Sequence, residues 1–191
     1  MRIGCDLDNT IIDYKDLFYE ASIKENLISL NHSREKFTIK KTIHSKNKDK
    51  WKLIQEIVYY QNISRAKIMR NFKKFYLEIA KRKIEFYIIS HKTKKINNKN
   101  LRIVAYDWLL KKKFLKNIVS SNQNLFFEST NRKKIERINS LNLDYFIDDL
   151  ESVLIDKKLN KNINKIQFNK KNIKNLNIPK LNWDGIFEFF F

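Results

Sequence analysis

The chain has 191 residues, with 40 Lys and Arg against 21 Asp and Glu, a formal net charge of +19. Hydrophobic residues make up 42% of it and aromatic residues 13%, which excludes an intrinsically disordered chain. One cysteine excludes an intramolecular disulfide and a cysteine-rich zinc site. No apolar run approaches the roughly 20 residues of a membrane span, and Asp6 interrupts the N-terminus where a signal peptide would be apolar. We therefore expect a soluble, cytoplasmic protein that does not bind membranes.

The basic excess has two explanations. Lysine (32) far outnumbers arginine (8), asparagine is abundant (23), and glycine (2) and proline (1) are scarce, as an A/T-rich genome would produce. A surface selected for nucleic acid would more often use arginine, whose planar guanidinium matches phosphates and bases. We favour the compositional background, although lysine interleaved with aromatic residues over 72–76 keeps a nucleic-acid partner as the less favoured alternative.

The first part of the chain predicts a strand followed by helices. An apolar run that ends in acid at residues 2–7 is typical of a buried parallel strand. Helical spacing of apolar residues follows over 14–63, interrupted by a polar stretch at about 31–49 that is either a short helix or a loop. Ser64 is a candidate N-cap for a further helix that reaches about Arg82.

The remainder alternates strands with helices. The predicted strands are 84–89, 124–127, 144–148 and 165–168. The predicted helices begin near 101, 131 and 150, and a charged loop covers 91–99. The tail 183–191 is too apolar to remain in water, so we expect it to dock on the body. This alternation predicts an α/β protein with a parallel sheet and helices on both faces.

Polar residues stand at the carboxyl ends of three predicted strands. Asp6 and Asp8 follow the first strand, Ser90 ends the second, and the pair Asp148-Asp149 ends the fourth. Ligands of such sheets bind beyond these ends, so the side chains should converge. Neighbouring carboxylates repel one another, and a hard cation such as Mg²⁺ relieves that repulsion. With a lysine, these groups are the parts that phosphoryl transfer requires.

The same residues resemble the four motifs of the haloacid dehalogenase superfamily. Asp6-Leu7-Asp8-Asn9-Thr10 is similar to its DxDxT signature, and Ser90 follows an apolar strand as its second motif does. Lys133 and Lys134 both compete for its lysine, and Asp148-Asp149 corresponds to its acidic pair.

The resemblance implies a mechanism and a set of ligands. Asp6 would attack phosphorus and form an aspartyl-phosphate, while Asp8 would act as general acid and then as general base. Mg²⁺ would be held by Asp6, the Asp8 backbone carbonyl and Asp148, with Asp149 as a ligand or close to one. Ser90 and either Lys133 or Lys134 would hold the phosphoryl oxygens. Because dehalogenases of the family lack a carboxylate at the Asp8 position, its presence favours a phosphatase or phosphomutase.

The resemblance also implies an architecture. We expect a Rossmann-like parallel sheet with strand order 3-2-1-4-5, formed by 1–13 and 64–191, and a helical cap at 14–63, inserted after the first strand. The function that follows is a Mg²⁺-dependent phosphatase acting on a small phosphorylated metabolite, either a sugar phosphate or a nucleotide. The alternative is a nucleic-acid end-processing phosphatase, or a non-catalytic nucleic-acid-binding protein, on the same fold.

Overall fold

The computed structural model describes residues 1–112, 115, 124–168 and 177–191. Among these residues, six parallel strands form one sheet in the order β10-β9-β8-β1-β4-β7. The strands are β1 (Arg2–Cys5), β4 (Glu85–His91), β7 (Leu125–Glu128), β8 (Tyr145–Asp148), β9 (Asn164–Phe168) and β10 (Lys180–Leu181). The predicted order 3-2-1-4-5 corresponds to β7-β4-β1-β8-β9 and is confirmed. The sequence pattern missed β10, which extends the edge beside β9.

Helices cover both faces of this sheet. In the part of the chain that the structure describes they are α1 (Lys15–Lys24), α2 (Lys36–Lys46), α3 (Lys48–Glu56), α4 (Phe72–Lys81), α5 (Leu101–Lys111), α6 (Asn131–Ser140), α7 (Glu151–Leu154) and α8 (Trp183–Phe190). A π-helical turn (Ile57–Gln61) and a 3₁₀ turn (Ile63–Arg65) follow α3. Within the described ranges, no helix is long and apolar enough to cross a membrane.

Alternating side chains of the strands supply two hydrophobic cores. Ile88 and Ile147 belong to the core on one face, whereas their neighbours Ile89 and Phe146 belong to the core on the other. This is the period-two alternation expected of a sheet that is covered on both faces. Gly4 of β1 lets side chains of the second core pack against the strand backbone, because a Cβ at that position would clash with Leu143 and lie 2.8 Å from Phe146 Cδ2.

The segment between β1 and α4 is helical as predicted over most of its length but differs from the prediction at its end. Its polar stretch is helical (α2), which decides the choice left open at 31–49. The helix predicted from Ser64 begins only at Phe72, so the Ser64 N-cap was wrong. The reason is a two-residue antiparallel pairing of β3 (Lys67–Ile68) with β2 (Ile12–Asp13), which helical backbone cannot make.

The predicted loop at 91–99 differs from the prediction, whereas the predicted tail agrees with it. The predicted loop at 91–99 begins with the last residue of β4 and contains a short hairpin, β5 (Lys95–Ile96) paired with β6 (Lys99–Asn100). The tail docks as predicted, because Trp183 of α8 is buried and its indole Nε1 donates to the Thr10 carbonyl oxygen at 2.8 Å.

Candidate active site

The register of the sheet brings the first and fourth motifs together. Cys5 pairs with Ile147 of β8, and the Asp6 amide donates to the Ile147 carbonyl oxygen at 2.9 Å. The next residues along the two strands, Asp6 and Asp148, therefore lie side by side at the carboxyl edge. On the other side of β1, Cys5 pairs with Ile88 of β4, so that Ser90 ends its strand at the same edge.

A lysine from α6 bridges the two carboxylates. Lys134 Nζ donates to Asp6 Oδ1 at 2.5 Å and to Asp148 Oδ2 at 2.6 Å, and only 1% of its side chain is exposed. Thr130 caps this helix by accepting from the Lys133 amide at 3.1 Å. Successive helical residues point about 100° apart, so Lys133 is exposed when Lys134 is buried. Of the two lysines named from the sequence, the structure brings only Lys134 to the carboxylates.

The acidic side chains form a cluster suited to a hard cation. Carboxylate oxygens of Asp6, Asp148 and Asp149 lie within 4.8 Å of one another. Asp148 is held in place because its Oδ1 accepts from the Leu150 amide at 2.8 Å. Burial, and then the negative charges of Asp148, Asp149 and Asp8, raise the pKa of Asp6, against the opposing influence of Lys134. A set of three carboxylates opposite one buried lysine has the donor chemistry that Mg²⁺ prefers.

Asp8 lies in the turn after β1 and forms an ion pair with Lys92. Both of its carboxylate oxygens accept from Lys92 Nζ, at 2.9 and 2.8 Å, and 15% of its side chain is exposed. The turn reverses through Asn9, which adopts a φ of 64° and donates its amide to the Ile12 carbonyl oxygen at 2.8 Å. Asparagine is among the few residues other than glycine that accept this left-handed conformation.

Known proteins resemble this chain in structure but not detectably in sequence. No protein-family model matches the sequence, and no curated protein is significantly similar to it. By contrast, 41 chains of solved structures match it significantly. A haloacid dehalogenase-like family hydrolase from Streptococcus pneumoniae has a TM-score of 0.65 and 14% identity, with 100% of this chain and 98% of that chain covered.

Two more structures agree. A HAD hydrolase of family IA, variant 3, from Entamoeba histolytica has a TM-score of 0.60 and 13% identity, over 96% of this chain and 94% of that one. A predicted phosphoglycolate phosphatase from Haemophilus somnus has a TM-score of 0.56 and 10% identity, over 99% and 97%. The chain has the haloacid dehalogenase fold.

Ser90 lies at the same edge of the sheet as Asp6 and Asp148. It is buried at the end of β4, and within the described part of the chain its hydroxyl has no hydrogen-bond partner. A buried hydroxyl without a partner costs roughly 1–3 kcal/mol. Such a group at the edge where Asp6 and Asp148 meet has the chemistry to bind an oxygen of a ligand.

Lys92 is the residue that the sequence analysis missed. It follows β4, is 3% exposed, and donates its amide to the Glu128 carbonyl oxygen at 2.9 Å, which continues the pairing with β7. Its position two residues after Ser90 was the available signal, since residues i and i+2 of extended chain share a face. Among 32 lysines that signal is too weak to have selected it.

Proposed function

We propose that the protein is a Mg²⁺-dependent phosphatase that hydrolyses a small phosphorylated metabolite through an aspartyl-phosphate on Asp6. The observation that carries the proposal is the Lys134 bridge between Asp6 and Asp148, beside the unpartnered Ser90 hydroxyl. It gathers a buried nucleophile, a cation and a hydroxyl donor at one edge of a haloacid dehalogenase fold. In this proposal residues 1–13 and 64–191 are the catalytic core, and 14–63 is a cap that selects the substrate.

The residues fit a bound Mg²⁺. Carboxylates of Asp6, Asp148 and Asp149 would hold it, together with the Asp8 backbone carbonyl. When bound, the ion would neutralise charge on the phosphoryl oxygens and on the crowded carboxylates. It would also favour the ionised, nucleophilic form of Asp6, which burial disfavours in its absence.

The chain's own groups account for the proton and bond changes. An oxygen of Asp6 forms a bond to phosphorus while the bond from phosphorus to the leaving oxygen breaks, and Ser90 and Lys134 donate hydrogen bonds to the phosphoryl oxygens. Protonated Asp8 transfers its proton to the leaving oxygen. Lys92 then stabilises the Asp8 carboxylate, which takes a proton from the attacking water. The water oxygen forms a bond to phosphorus while the bond from phosphorus to the Asp6 oxygen breaks, which releases phosphate and restores the Asp6 carboxylate.

The test is hydrolysis of p-nitrophenyl phosphate. We expect turnover that requires Mg²⁺, that EDTA abolishes, and that falls at least about a thousandfold in Asp6→Asn. Asp107→Asn is the matched control, since Asp107 is an exposed residue of α5, and it should retain full activity. Undiminished turnover in Asp6→Asn would refute the covalent mechanism.

The structure weakens the nucleic-acid alternative. Phe72 and Phe75, which gave the run at 72–76 its aromatic character, are buried. Their rings pack against Trp183 with centroids 4.8 and 5.0 Å away. Buried rings cannot stack on bases, so the run offers lysines without the aromatic faces that single-stranded nucleic acid would use.

A further inference from the structure

A lysine of α2 lies on an aromatic surface without a carboxylate partner. Lys36 Nζ is 5.0 Å from the centroid of the Phe18 ring and 5.5 Å from that of Tyr59, and it donates to the Tyr59 hydroxyl at 2.8 Å. No ion pair joins it to a carboxylate of the described residues. Lys15, also at the start of its helix, does have such a partner in Glu35 at 3.3 Å.

Tyr59 connects Lys36 to the candidate active site. Lys92 Nζ, which binds Asp8, lies 4.7 Å from the centroid of the same ring. Both ammonium groups are therefore within 5.5 Å of the centre of Tyr59. Besides burial, the charges of Asp8, Asp149 and Asp6 raise the pKa of the Tyr59 hydroxyl, against the opposing influence of Lys92.

The two lysines differ in how their charge is balanced. Asp8 neutralises Lys92, whereas among the described residues Lys36 contacts only ring faces and a neutral hydroxyl. Lys36 is half-buried, and its contacts with the aromatic rings offset only part of the cost of withdrawing its charge from water. Tyr59 takes one of the three hydrogens of the Lys36 ammonium, so donors remain for a ligand oxygen. An anionic group would complete this arrangement.

We propose that Lys36, oriented by Tyr59, binds a second anionic group of the substrate, a carboxylate or a second phosphate. The substrate class is then a phosphomonoester whose alcohol portion is itself negatively charged. This inference rests on the proposed phosphatase function and deepens it, because it assigns the specificity of the same site to a residue of the 14–63 segment.

The experiment compares matched substrates that differ in one charge. The carboxylate pair is 3-phosphoglycerate and glycerol 3-phosphate, and the phosphate pair is fructose 1,6-bisphosphate and fructose 6-phosphate. For at least one pair, kcat/KM of the wild type should favour the doubly anionic member by about tenfold or more. Lys36→Met should reduce that preference by about tenfold. The control Lys41→Met removes an exposed charge from the same helix and should keep the preference, and the pair that responds identifies the anion.

Binding separates this inference from the proposed function. In an Asp6→Asn background, calorimetry should show the same preference in Kd, lost again with Lys36→Met. An unchanged preference in Lys36→Met for both pairs, with p-nitrophenyl phosphate still hydrolysed by the wild type, would overturn the second-anion site and leave the phosphatase proposal standing. Absence of any phosphomonoester turnover would instead overturn the phosphatase proposal, and the Kd comparison would then decide the inference alone.

Discussion

Replacing Lys134 with methionine tests the electrostatic basis of the site. The substitution keeps an unbranched side chain of similar length but removes the charge that lies 2.5 Å from Asp6 and 2.6 Å from Asp148. Both carboxylates are at least nine-tenths buried, so water cannot replace the lost partner. Removing one member of a buried ion pair costs roughly 3–5 kcal/mol, because the other charge is left uncompensated.

That cost should be visible in the thermal unfolding of the metal-free protein. For a chain of this size, 1 kcal/mol of unfolding free energy shifts the melting temperature by roughly 2–4 °C. In EDTA, Lys134→Met should therefore melt about 6–20 °C below the wild type. Millimolar Mg²⁺ should recover part of the loss, since a cation that binds the folded state stabilises it by mass action.

The adjacent lysine provides the control. Lys133 is exposed, and Lys133→Met should change the free energy of unfolding by no more than about 0.5 kcal/mol. Urea unfolding of both variants in EDTA would measure the difference directly. Equal stability of Lys134→Met and Lys133→Met would refute the conclusion that the carboxylates depend on a buried ammonium.

Three further outcomes follow from the same geometry. Burial and the neighbouring carboxylates raise the pKa of Asp6 from 3.8 to about 8. Between these pH values the folded metal-free protein holds one more proton than the unfolded chain, so its stability in EDTA should fall as the pH rises through that window. Thermal melts should show this slope for the wild type and a flatter one for Asp6→Asn. Lys92→Met should lower the free energy of unfolding by about 1–3 kcal/mol, less than the loss of a fully buried pair, because Asp8 is partly exposed. It should also slow the hydrolysis of an alkyl phosphate more than that of p-nitrophenyl phosphate, whose leaving group needs less protonation. Lys94→Met, which changes an exposed lysine, should do neither. Gly4→Ala places a Cβ against the Leu143 side chain, 2.8 Å from Phe146 and 3.1 Å from Ile89, and urea unfolding should show a loss of about 1–3 kcal/mol. Gly185→Ala, whose Cβ would face the flexible end of Leu181 at 3.1 Å, should cost less.

Local pattern was sufficient for five of the six described strands of the central sheet and for the acidic motifs. Apolar runs that end in acid predicted β1 and β8, and helical spacing predicted α5 and α6. These signals are local, because the period of burial and the residue at a strand's end are visible in the sequence itself. The same pattern predicted that Asp6 and Asp148 end strands of a parallel sheet, and the register of β1 with β8 places them side by side.

Tertiary structure decided the contacts that depend on distant partners. Ser64 had the chemistry of an N-cap, but pairing of β3 with β2 across more than fifty residues took precedence over that local preference. Lys133 and Lys134 are identical in type and adjacent in sequence, so only the packing of α6 against the sheet determined which ammonium is buried. Lys92 acquired its position because β4 and β7 extend past Ser90 and direct it to Asp8, 84 residues away. In each case the deciding energy comes from a partner remote in the chain, which no local pattern contains.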